Sequence, residues 1–366
     1  MSLQTDLKRT PLYDEHLKLN ARIVPFGGWE MPVQYEGIID EYTQTRQAVT
    51  VFDICHMGEF IIEGNERDSG LDRIVTMTLG DLPVKSSRYG LILNEEGGVV
   101  DDLIVFRLEP EKWFIVVNGA TTEKDASHFQ KHLTPEARFT DVSLQTGKLD
   151  LQGPLAREVL SFFVDDIKKL DYFKFDFFNL LGQNVLISRT GYTGELGYEI
   201  FYPWDQTKEL WQALLKDKRV RPAGLGARDL LRLEMGYSLY GHEIDENTSP
   251  LEAGLKRFID FKKDFLGKDA LLKQMDRGIQ RTLVGFTSDT RRSPRSEQKI
   301  FSAQNQEVGV VTSGGFSPSL EKGIGLGYVP MAQSQLGTKI FFGDEKNKSP
   351  AVISEKVFYK KGSLRN

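Results

Sequence analysis

The sequence predicts an α+β protein built from more than one domain. Its 366 residues exceed what a single hydrophobic core usually serves. The middle of the chain alternates short apolar strands with polar-faced helices, whereas from about Arg281 the pattern changes to short strands separated by Gly, Ser and Pro. This change predicts a small all-β domain at the C-terminal end of the chain.

Individual elements follow from periodicity and from turn residues. Residues 26–32 predict a loop, because paired glycines followed by a proline interrupt any periodic pattern. Helices are expected over 39–49, 122–132, 205–215 and 228–235, and a further helix begins at Pro154 or Leu155. Strands are expected over 59–62, 89–93, 99–106, 113–117, 282–286, 307–311 and 324–329; residues 94–98 join 89–93 and 99–106 as a hairpin.

Composition and charge narrow the class of protein. Hydrophobic residues make up 40% of the chain and charged residues 27%, values typical of a soluble globular protein. The net charge of -5 provides no general attraction to nucleic acid or to an anionic membrane, so neither is expected as a partner. The chain contains no apolar run of about 18 residues, and its start resembles neither a signal nor a transit peptide. A cytoplasmic protein is expected.

Cys55 is the only cysteine, which excludes an intramolecular disulfide and a site made of several thiolates. Its apolar neighbours favour an inert small side chain over a nucleophile. His128 and His132 lie four residues apart on a predicted helix, but no glutamate stands between them, so a solvated helix face explains them better than a metal site. We expect no metal.

Two adjacent acids, Asp101 and Asp102, stand inside an apolar strand. Side chains alternate across a strand, so the two carboxylates point to opposite faces and at least one meets an interior or a cleft. A buried carboxylate has a raised pKa, which suits a group that holds or removes a proton; a strand-end acid that caps a turn is the alternative. Tyr89 lies directly across from Asp102 if the hairpin loop is 94–97, and diagonally from it if the loop is 95–98.

Two further segments contain residues suited to binding a ligand. The glycines of 191–199 match neither glycine-rich phosphate fingerprint, and a glycine-rich hairpin is the favoured interpretation. Glu199 follows that turn and has the chemistry to accept two N–H donors from an aminopyrimidine-like ring. Arg228 falls in the first turn of a helix, where a cation opposes the helix dipole. Either Asp229 or a ligand in a cleft compensates it.

Taken together, these segments resemble the glycine cleavage T-protein family over nearly the whole chain. The resemblance is carried by residues 9–13, 26–32, 52–59, 97–105, 116–118, 152–154, 189–199, 224–234 and 312–318. It implies a three-domain cloverleaf with a central folate cavity, a ferredoxin-like inserted domain and a C-terminal domain like a β-barrel or jelly roll. The implied domains are 1–55 with 145–280, then 56–144, then 281–366.

The resemblance also implies an activity. A T-protein transfers the methylene carbon of an aminomethyl group, held on the lipoyl arm of the H-protein, to tetrahydrofolate as co-substrate. The products are 5,10-methylenetetrahydrofolate, ammonia and the dihydrolipoyl H-protein. A folate-dependent demethylase of the same fold and a non-catalytic folate-binding protein are the alternatives; the absence of a dinucleotide fingerprint, and the joint presence of Asp102, Glu199 and Arg228, favour the transferase.

Site residues are carried over by motif position. Asp102 matches the family's essential carboxylate beside the reacting folate nitrogens. The positions that line the folate are Met57, Tyr89, Asn118, Tyr192, Glu199, Arg228 and Tyr237. Two residues depart from the family pattern: Cys55 stands where serine is common, and Phe106 stands where some members have a tyrosine facing folate.

A basic stretch offers a contact for the H-protein. Arg291, Arg292 and Arg295 lie within five residues and are suited to an acidic carrier, and a solvated loop is the alternative.

Overall fold

A computed structural model describes residues 7–290 and 292–365 of the chain. The strands are β1 (Lys8–Arg9), β2 (Arg22–Phe26), β3 (Trp29–Gln34), β4 (Val49–Asp53), β5 (Gly58–Glu63), β6 (Ser86–Leu93), β7 (Val99–Glu109), β8 (Lys112–Val117), β9 (Arg138–Asp141), β10 (Thr146–Gln152), β11 (Phe175–Leu180), β12 (Gln183–Ser188), β13 (Gly197–Pro203), β14 (Val220–Pro222), β15 (Arg281–Ser288), β16 (Lys299–Ser302), β17 (Glu307–Ser317), β18 (Lys322–Pro330), β19 (Lys339–Gly343) and β20 (Lys348–Ser354). The α-helices are α1 (Tyr13–Lys18), α2 (Ile38–Gln47), α3 (Leu71–Ile74), α4 (Thr122–His132), α5 (Ala156–Leu160), α6 (Thr207–Leu215), α7 (Leu225–Glu234) and α8 (Lys268–Arg277).

A six-stranded sheet forms the centre of the fold, in the order β11-β12-β13-β10-β4-β14. Its pairs are antiparallel except for β14, which runs parallel to β4. One face of the sheet buries a large apolar core, to which β10 contributes Leu149 and Leu151 and α6 contributes Trp211. The alternate residues of β10 therefore face the other side of the sheet.

A second, five-stranded antiparallel sheet lies between β4 and β10 in the sequence, in the order β6-β7-β8-β5-β9. This is the strand order of a ferredoxin-like sheet with β8 added between β5 and β7. Its helices α3 and α4 contact each other, and Phe129 of α4 is fully buried in the core that this sheet covers.

The C-terminal residues form a closed barrel, in the order β15-β18-β17-β16-β19-β20. Closure leaves no sheet edge unpaired, and the barrel interior holds its own apolar core around Phe286 and Phe342. The sequence prediction of an α+β fold that ends in an all-β region is confirmed. The residue limits of the three domains stay a prediction.

The prediction of a loop over 26–32 is wrong. Strands β2 and β3 pair as a hairpin, and only Gly27 and Gly28 form its turn. Both glycines have positive φ, +55° and +84°, which is the geometry of a two-residue turn that suits the twist of a hairpin. The paired glycines thus mark a turn between two strands, and Pro32 is tolerated in β3 beyond the residues that pair with β1.

The other predicted elements are present, and most are longer at one or both ends. The helix over 122–132 has its predicted bounds, and the helix expected from 39 covers Ile38–Gln47 because Val49 already belongs to β4. The helix expected after Pro154 begins at Ala156, and the helix expected over 228–235 covers Leu225–Glu234. Residues 191–196 lie in the connection between β12 and β13, and residues 197–199 begin β13. The two strands pair antiparallel, so the hairpin interpretation is confirmed.

An aromatic cluster joins the inserted sheet to the central sheet. Phe106 and Phe114 of the inserted sheet pack against Phe175 and Phe201 of the central sheet, with ring centroids 5.1 to 5.8 Å apart. Burial of several aromatic side chains fixes the two sheets against each other. Strands β7 and β8 of the inserted sheet are thereby held against β11 and β13 of the central sheet.

Within the part of the chain that the structure describes, no helix has the length and hydrophobicity needed to cross a membrane.

Gly153 provides a test of how tightly the central sheet packs. Its φ is +137°, and a Cβ placed on it would lie 2.3 Å from the carbonyl oxygen of Ala48. We expect Gly153→Ala to lower the free energy of unfolding by about 3 kcal/mol or more, because backbone atoms would have to move. Urea denaturation measures this change.

Gly182→Ala is the matched control for that variant. Gly182 also has positive φ, +84°, but a Cβ there meets no atom within 4 Å. It should cost only about 1 kcal/mol from the left-handed backbone. Equal losses in the two variants would contradict the close packing around Gly153.

Candidate active site

Asp101 and Asp102 differ in their exposure, as the alternation of side chains along a strand predicts. Both lie on β7, but Asp101 is fully buried and Asp102 keeps partial contact with solvent. Asp101 accepts hydrogen bonds from the backbone N–H of Asn118, over 3.0 Å, and from the hydroxyl of Thr121, over 2.9 Å. Asp102 is therefore the acid that a ligand can reach.

Tyr89 is placed diagonally from Asp102, which is the second of the two expected placements. The connection itself covers residues 94–98, and the register shifts at a bulge between Ile92 and Leu93. Leu91 pairs with Asp102 in the register of β6 and β7, and Tyr89 pairs with Ile104. The phenol of Tyr89 donates a hydrogen bond to Asp102 Oδ2 over 2.9 Å. One side of the Asp102 carboxylate is thus fixed by a neutral donor.

Asn118 holds the other side of the same carboxylate. It follows β8, and its side-chain Nδ2 donates to Asp102 Oδ1 over 2.9 Å and to Asp101 Oδ1 over 2.8 Å. One amide group therefore bridges the two acids. The resemblance predicts that Asn118 lines the folate, and in the structure this side chain is already engaged with both carboxylates.

The surroundings of Asp102 raise its pKa to about 7. Burial is the largest cause, and the negative charge of Asp101 adds to it, while the hydrogen bonds from Tyr89 and Asn118 act in the opposite direction. A carboxyl with this pKa exchanges its proton near neutral pH. That property suits a group that must hold or take up a proton during a reaction.

Glu199 is held by a lysine that sequence reasoning missed. Lys148 Nζ lies 3.1 Å from Glu199 Oε1, and Thr190 donates its hydroxyl proton to Oε2. Burial alone would raise the pKa of Glu199, but the charge of Lys148 and the hydrogen bonds lower it below its usual range. Glu199 is therefore an ionised acceptor at a position that is 5% exposed.

A period-two pattern in β10 was the signal that could have revealed Lys148. Lys148, Asp150 and Gln152 alternate with Leu149 and Leu151, and all five are buried. The leucines face the apolar core, so the three polar residues share the opposite face. Three polar residues on a buried face indicate a polar site on that face of the sheet.

Several buried polar atoms beside Lys148 and Glu199 have no hydrogen-bond partner among the described residues. They are Asp150 Oδ2, both carboxyl oxygens of Glu59, His56 Nδ1 and Arg228 Nε.

The same groups have shifted pKa values. Burial and then the charge of Glu199 raise the pKa of Asp150 to about 7, and burial raises the pKa of Glu59 well above its usual range. Burial also lowers the pKa of His56 to about 4, so its imidazole is neutral. Unfilled hydrogen-bonding capacity of this kind in a native protein is typical of a ligand site.

Two tyrosines and Arg228 form an aromatic surface near the carboxylates. The rings of Tyr192 and Tyr237 stack with centroids 5.6 Å apart and planes 22° apart. The guanidinium of Arg228 lies over the Tyr192 ring, 4.7 Å from its centroid. Burial, and to a smaller degree the charge of Asp102, raise the pKa of Tyr192, which places Tyr192 and Asp102 within electrostatic reach of each other.

Asp229 is not the compensating partner of Arg228. Its carboxylate Oδ1 lies 2.8 Å from Arg232 Nε, and the first of the two sequence interpretations is therefore wrong. Arg228 instead stabilises the carboxylates of Asp150 and Glu199, whose pKa values it lowers. The helix α7 thus directs its first-turn cation toward a polar site.

The remaining predicted site residues lie in different environments. Met57 is partly buried, and its Sδ is 3.6 Å from Lys148 Nζ. Cys55 is buried and donates its S–H to the backbone oxygen of Lys148 over 3.4 Å, and burial raises its pKa well above the usual range, so the inert interpretation is supported. Phe106 is fully buried in the aromatic cluster between the two sheets.

The basic stretch lies on the barrel, in the connection between β15 and β16. Arg292 and Arg295 are exposed, and Arg291 lies outside the described residues. Over residues 7–290 and 292–365 no group of three or more His, Cys, Asp and Glu side chains is arranged to hold a metal ion.

The fold and the site define a class of protein: an α+β protein with a C-terminal closed barrel, whose site combines an acid of near-neutral pKa with an ionised, lysine-bound carboxylate. Comparison with known proteins identifies the family. Residues 12–263 match the GCVT N-terminal domain and residues 281–360 match the glycine cleavage T-protein C-terminal barrel domain. The chain belongs to the glycine cleavage T-protein family, whose members are aminomethyltransferases.

Individual relatives agree over the full length of the chain. The aminomethyltransferase of Pseudothermotoga lettingae is 40% identical over 98% of this chain and all of its own length. That of Caldanaerobacter subterraneus subsp. tengcongensis is 42% identical over 97% of each chain. The crystal structure of glycine cleavage system aminomethyltransferase T from Bartonella henselae superposes with a TM-score of 0.92 at 34% identity, over 97% of this chain and 99% of that one.

Proposed function

We propose that this chain transfers the methylene carbon of an aminomethyl group on the lipoyl arm of the H-protein to tetrahydrofolate. The products are 5,10-methylenetetrahydrofolate, ammonia and dihydrolipoyl H-protein. The observation that carries the proposal is the pairing of two different carboxylates, Asp102 with a pKa near 7 and Glu199 held ionised by Lys148, in a member of this family. The full-length relatives that are aminomethyltransferases favour transfer over the demethylase and the non-catalytic folate-binding alternatives.

Glu199 has the chemistry to bind the pterin ring of tetrahydrofolate through hydrogen bonds. The ring presents an exocyclic amino group and a neighbouring N–H, and a carboxylate accepts two parallel N–H bonds well. Lys148 and Thr190 keep the carboxylate ionised and fixed before the ligand arrives. The unpartnered atoms of Asp150, Glu59 and Arg228 offer further hydrogen bonds to a polar ring, which supports the fit of a pterin here.

Asp102 has the chemistry to serve the reacting nitrogens. Folate N5 must attack the methylene carbon as the lipoyl sulfur leaves, and N10 must then close the ring as ammonia leaves. Both nitrogens therefore pass through a positively charged state and lose a proton, and the two protons end on the lipoyl thiol and on ammonia. A carboxylate fixed by Tyr89 and Asn118 orients the nitrogens and stabilises that charge. Its pKa near 7 also allows it to accept a proton, which we assign as its second role.

The partner and the compartment follow from the same proposal. A lipoylated H-protein must deliver its arm to Asp102, and exposed Arg292 and Arg295, with Arg291, supply positive charge for an acidic carrier. We place the enzyme in the cytoplasm, where both the H-protein and the reduced folate would be supplied.

Asp102→Asn tests the catalytic assignment. The variant should lower turnover at least about 100-fold in an assay of methylenetetrahydrofolate and ammonia from aminomethyl-loaded H-protein and tetrahydrofolate, because the amide neither carries charge nor accepts the proton. Folate affinity should change little. Asp14→Asn, at an exposed position, is the control. Near-normal turnover of Asp102→Asn, or folate binding without product in the wild type, would refute the assignment.

Glu199→Gln and Lys148→Met test the pterin contact. Each should weaken tetrahydrofolate binding by about 10- to 100-fold, because the first removes the charged acceptor and the second leaves a buried carboxylate without its cation. Turnover of the bound complex should fall less. Titration calorimetry and saturating-folate kinetics separate the two effects, with exposed Lys339→Met as the control for Lys148. A loss confined to turnover would contradict the assignment.

Charge reversal on the barrel tests the carrier contact. The double variant Arg292→Glu with Arg295→Glu should raise the KM for loaded H-protein by about 10-fold at low salt, since a rim charge mainly affects the association rate. Folate affinity should remain as in the wild type. Lys218→Glu, at another exposed position, is the control. An unchanged KM would assign these arginines to a solvated loop.

A further inference from the structure

A second carboxyl group lies against Asp101, on the side of Asp101 that faces helix α4. It belongs to Asp125, which is as fully buried as Asp101. The two carboxyl groups are in hydrogen-bonding contact. Thr121, at the start of the same helix, directs its hydroxyl to Asp101 Oδ2. The interior behind Asp102 therefore contains two acids in contact.

The pair must share a proton. The hydroxyl of Thr121 lies near Asp125 and lowers its pKa, but it is directed to Asp101 Oδ2, and besides Asp101 neither oxygen of Asp125 has another partner among the described residues. Asp101, by contrast, accepts from the backbone and side chain of Asn118 and from Thr121. Burial and then the charge of Asp101 raise the pKa of Asp125 to about 10. Burial raises the pKa of Asp101 as well, but the three donors that Asp101 accepts favour its ionised form. Asp125 is therefore the member that holds the proton and donates its O–H to Asp101, and the pair carries a single negative charge.

Asn118 connects this pair to Asp102. The two protons of its Nδ2 reach Asp101 Oδ1 and Asp102 Oδ1, over 2.8 and 2.9 Å. An amide group is planar, so the direction that Asp101 imposes on it also fixes the direction in which it meets Asp102. A neutral bridge of this kind transmits both an orientation and the field of the charge behind it.

We propose that the Asp101–Asp125 pair positions Asp102: through the amide of Asn118 it orients the Asp102 carboxylate, and its single negative charge favours proton uptake by Asp102. Asp101 and Asp125 are positioning residues in this account, since neither reaches the partly exposed side of the site. The inference deepens the proposed function, because it explains how a carboxylate in this place becomes an acceptor for the proton that a folate nitrogen loses.

Other charged and titratable groups also face these acids. Tyr89 donates to Asp102, and Tyr192 and Tyr240 lie within electrostatic reach of Asp102 and Asp101, respectively. Lys124 of α4 is the neighbouring cation, but its Nζ binds Glu246, the phenol of Tyr240 and the backbone oxygen of Val100. The charge of Lys124 is thereby largely neutralised by Glu246. After burial, the charge of Asp101 is the largest influence on the pKa of Asp102.

Carboxyl ¹³C resonances of aspartate-labelled protein, followed from pH 4 to 9 without any substrate, test the proposal. The signal absent from Asp102→Asn identifies Asp102, whose midpoint should lie near 7 in the wild type. In Asp125→Asn the new side-chain amide still donates a hydrogen bond to ionised Asp101, so the midpoint of Asp102 should stay near 7. In the double variant Asp101→Asn with Asp125→Asn no charge remains, and the midpoint should fall by about one pH unit or more.

Two outcomes of this titration would overturn the proposal. One is an Asp102 midpoint that is unchanged in the folded double variant, and the other is a shift in Asp125→Asn as large as that in the double variant. Should the double variant not fold, the wild type still decides: one aspartate signal must remain that of a protonated carboxyl at pH 8 and vanish in Asp125→Asn. Its absence would also overturn the proposal.

Kinetics give a readout that loss of stability alone does not mimic. The acid limb of kcat/KM should follow the Asp102 midpoint, and therefore move to lower pH in the double variant but not in Asp125→Asn. A merely structural pair would lower activity without moving that limb. The carboxyl titration needs neither folate nor H-protein, so failure of the proposed function would not be confused with failure of this inference.

Discussion

The site depends on holding negative charge where water cannot stabilise it. Strand β7 places Asp101 and Asp102 at consecutive positions, and Asp101 cannot reach solvent at all. An unsolvated carboxylate costs several kcal/mol, roughly, unless donors surround it. Asp101 accepts hydrogen bonds from Asn118, from Thr121 and from the proton on Asp125. The negative charge of Asp101 in turn raises the pKa of Asp102. The arrangement that stabilises the buried charge of Asp101 therefore also makes Asp102 a proton acceptor near neutral pH.

Packing between the two sheets sets the geometry in which that acid acts. The aromatic cluster that contains Phe106 and Phe201 joins the inserted sheet to the central one. Asp102 comes from the inserted sheet. Glu199 and Lys148 come from the central sheet, and Arg228 comes from helix α7. No single sheet contains both carboxylates. Phe106 therefore contributes to the site as part of the contact that aligns its two halves, and a hydroxyl there would have to be accommodated among phenylalanine rings.

Sequence reasoning found the elements whose signals are local and missed those that depend on partners. Hydrophobic periodicity and turn residues predict the hairpin of β6 and β7, helix α4 and the adjacent acids Asp101 and Asp102. The composition of residues 26–32 predicts a loop, because a two-residue turn between strands and a longer loop have similar composition. The partners of Lys148 could not be predicted, since its contact with Glu199 joins strands 51 residues apart in the chain, although β10 shows its polar face by period alone. Arg228 was found, but the choice between Asp229 and a ligand required the contact of Asp229 with Arg232.

The proposed function depends on one placement of the folate: Glu199 binds the pterin ring while Asp102 meets the reacting nitrogens of the same molecule. The most direct measurement is a crystal structure of the chain with tetrahydrofolate bound. We expect the amino group and ring N–H of the pterin to lie within hydrogen-bond distance of the Glu199 carboxylate, and N5 or N10 to lie within reach of Asp102. A pterin bound away from Glu199, or folate nitrogens that do not approach Asp102, would contradict the account.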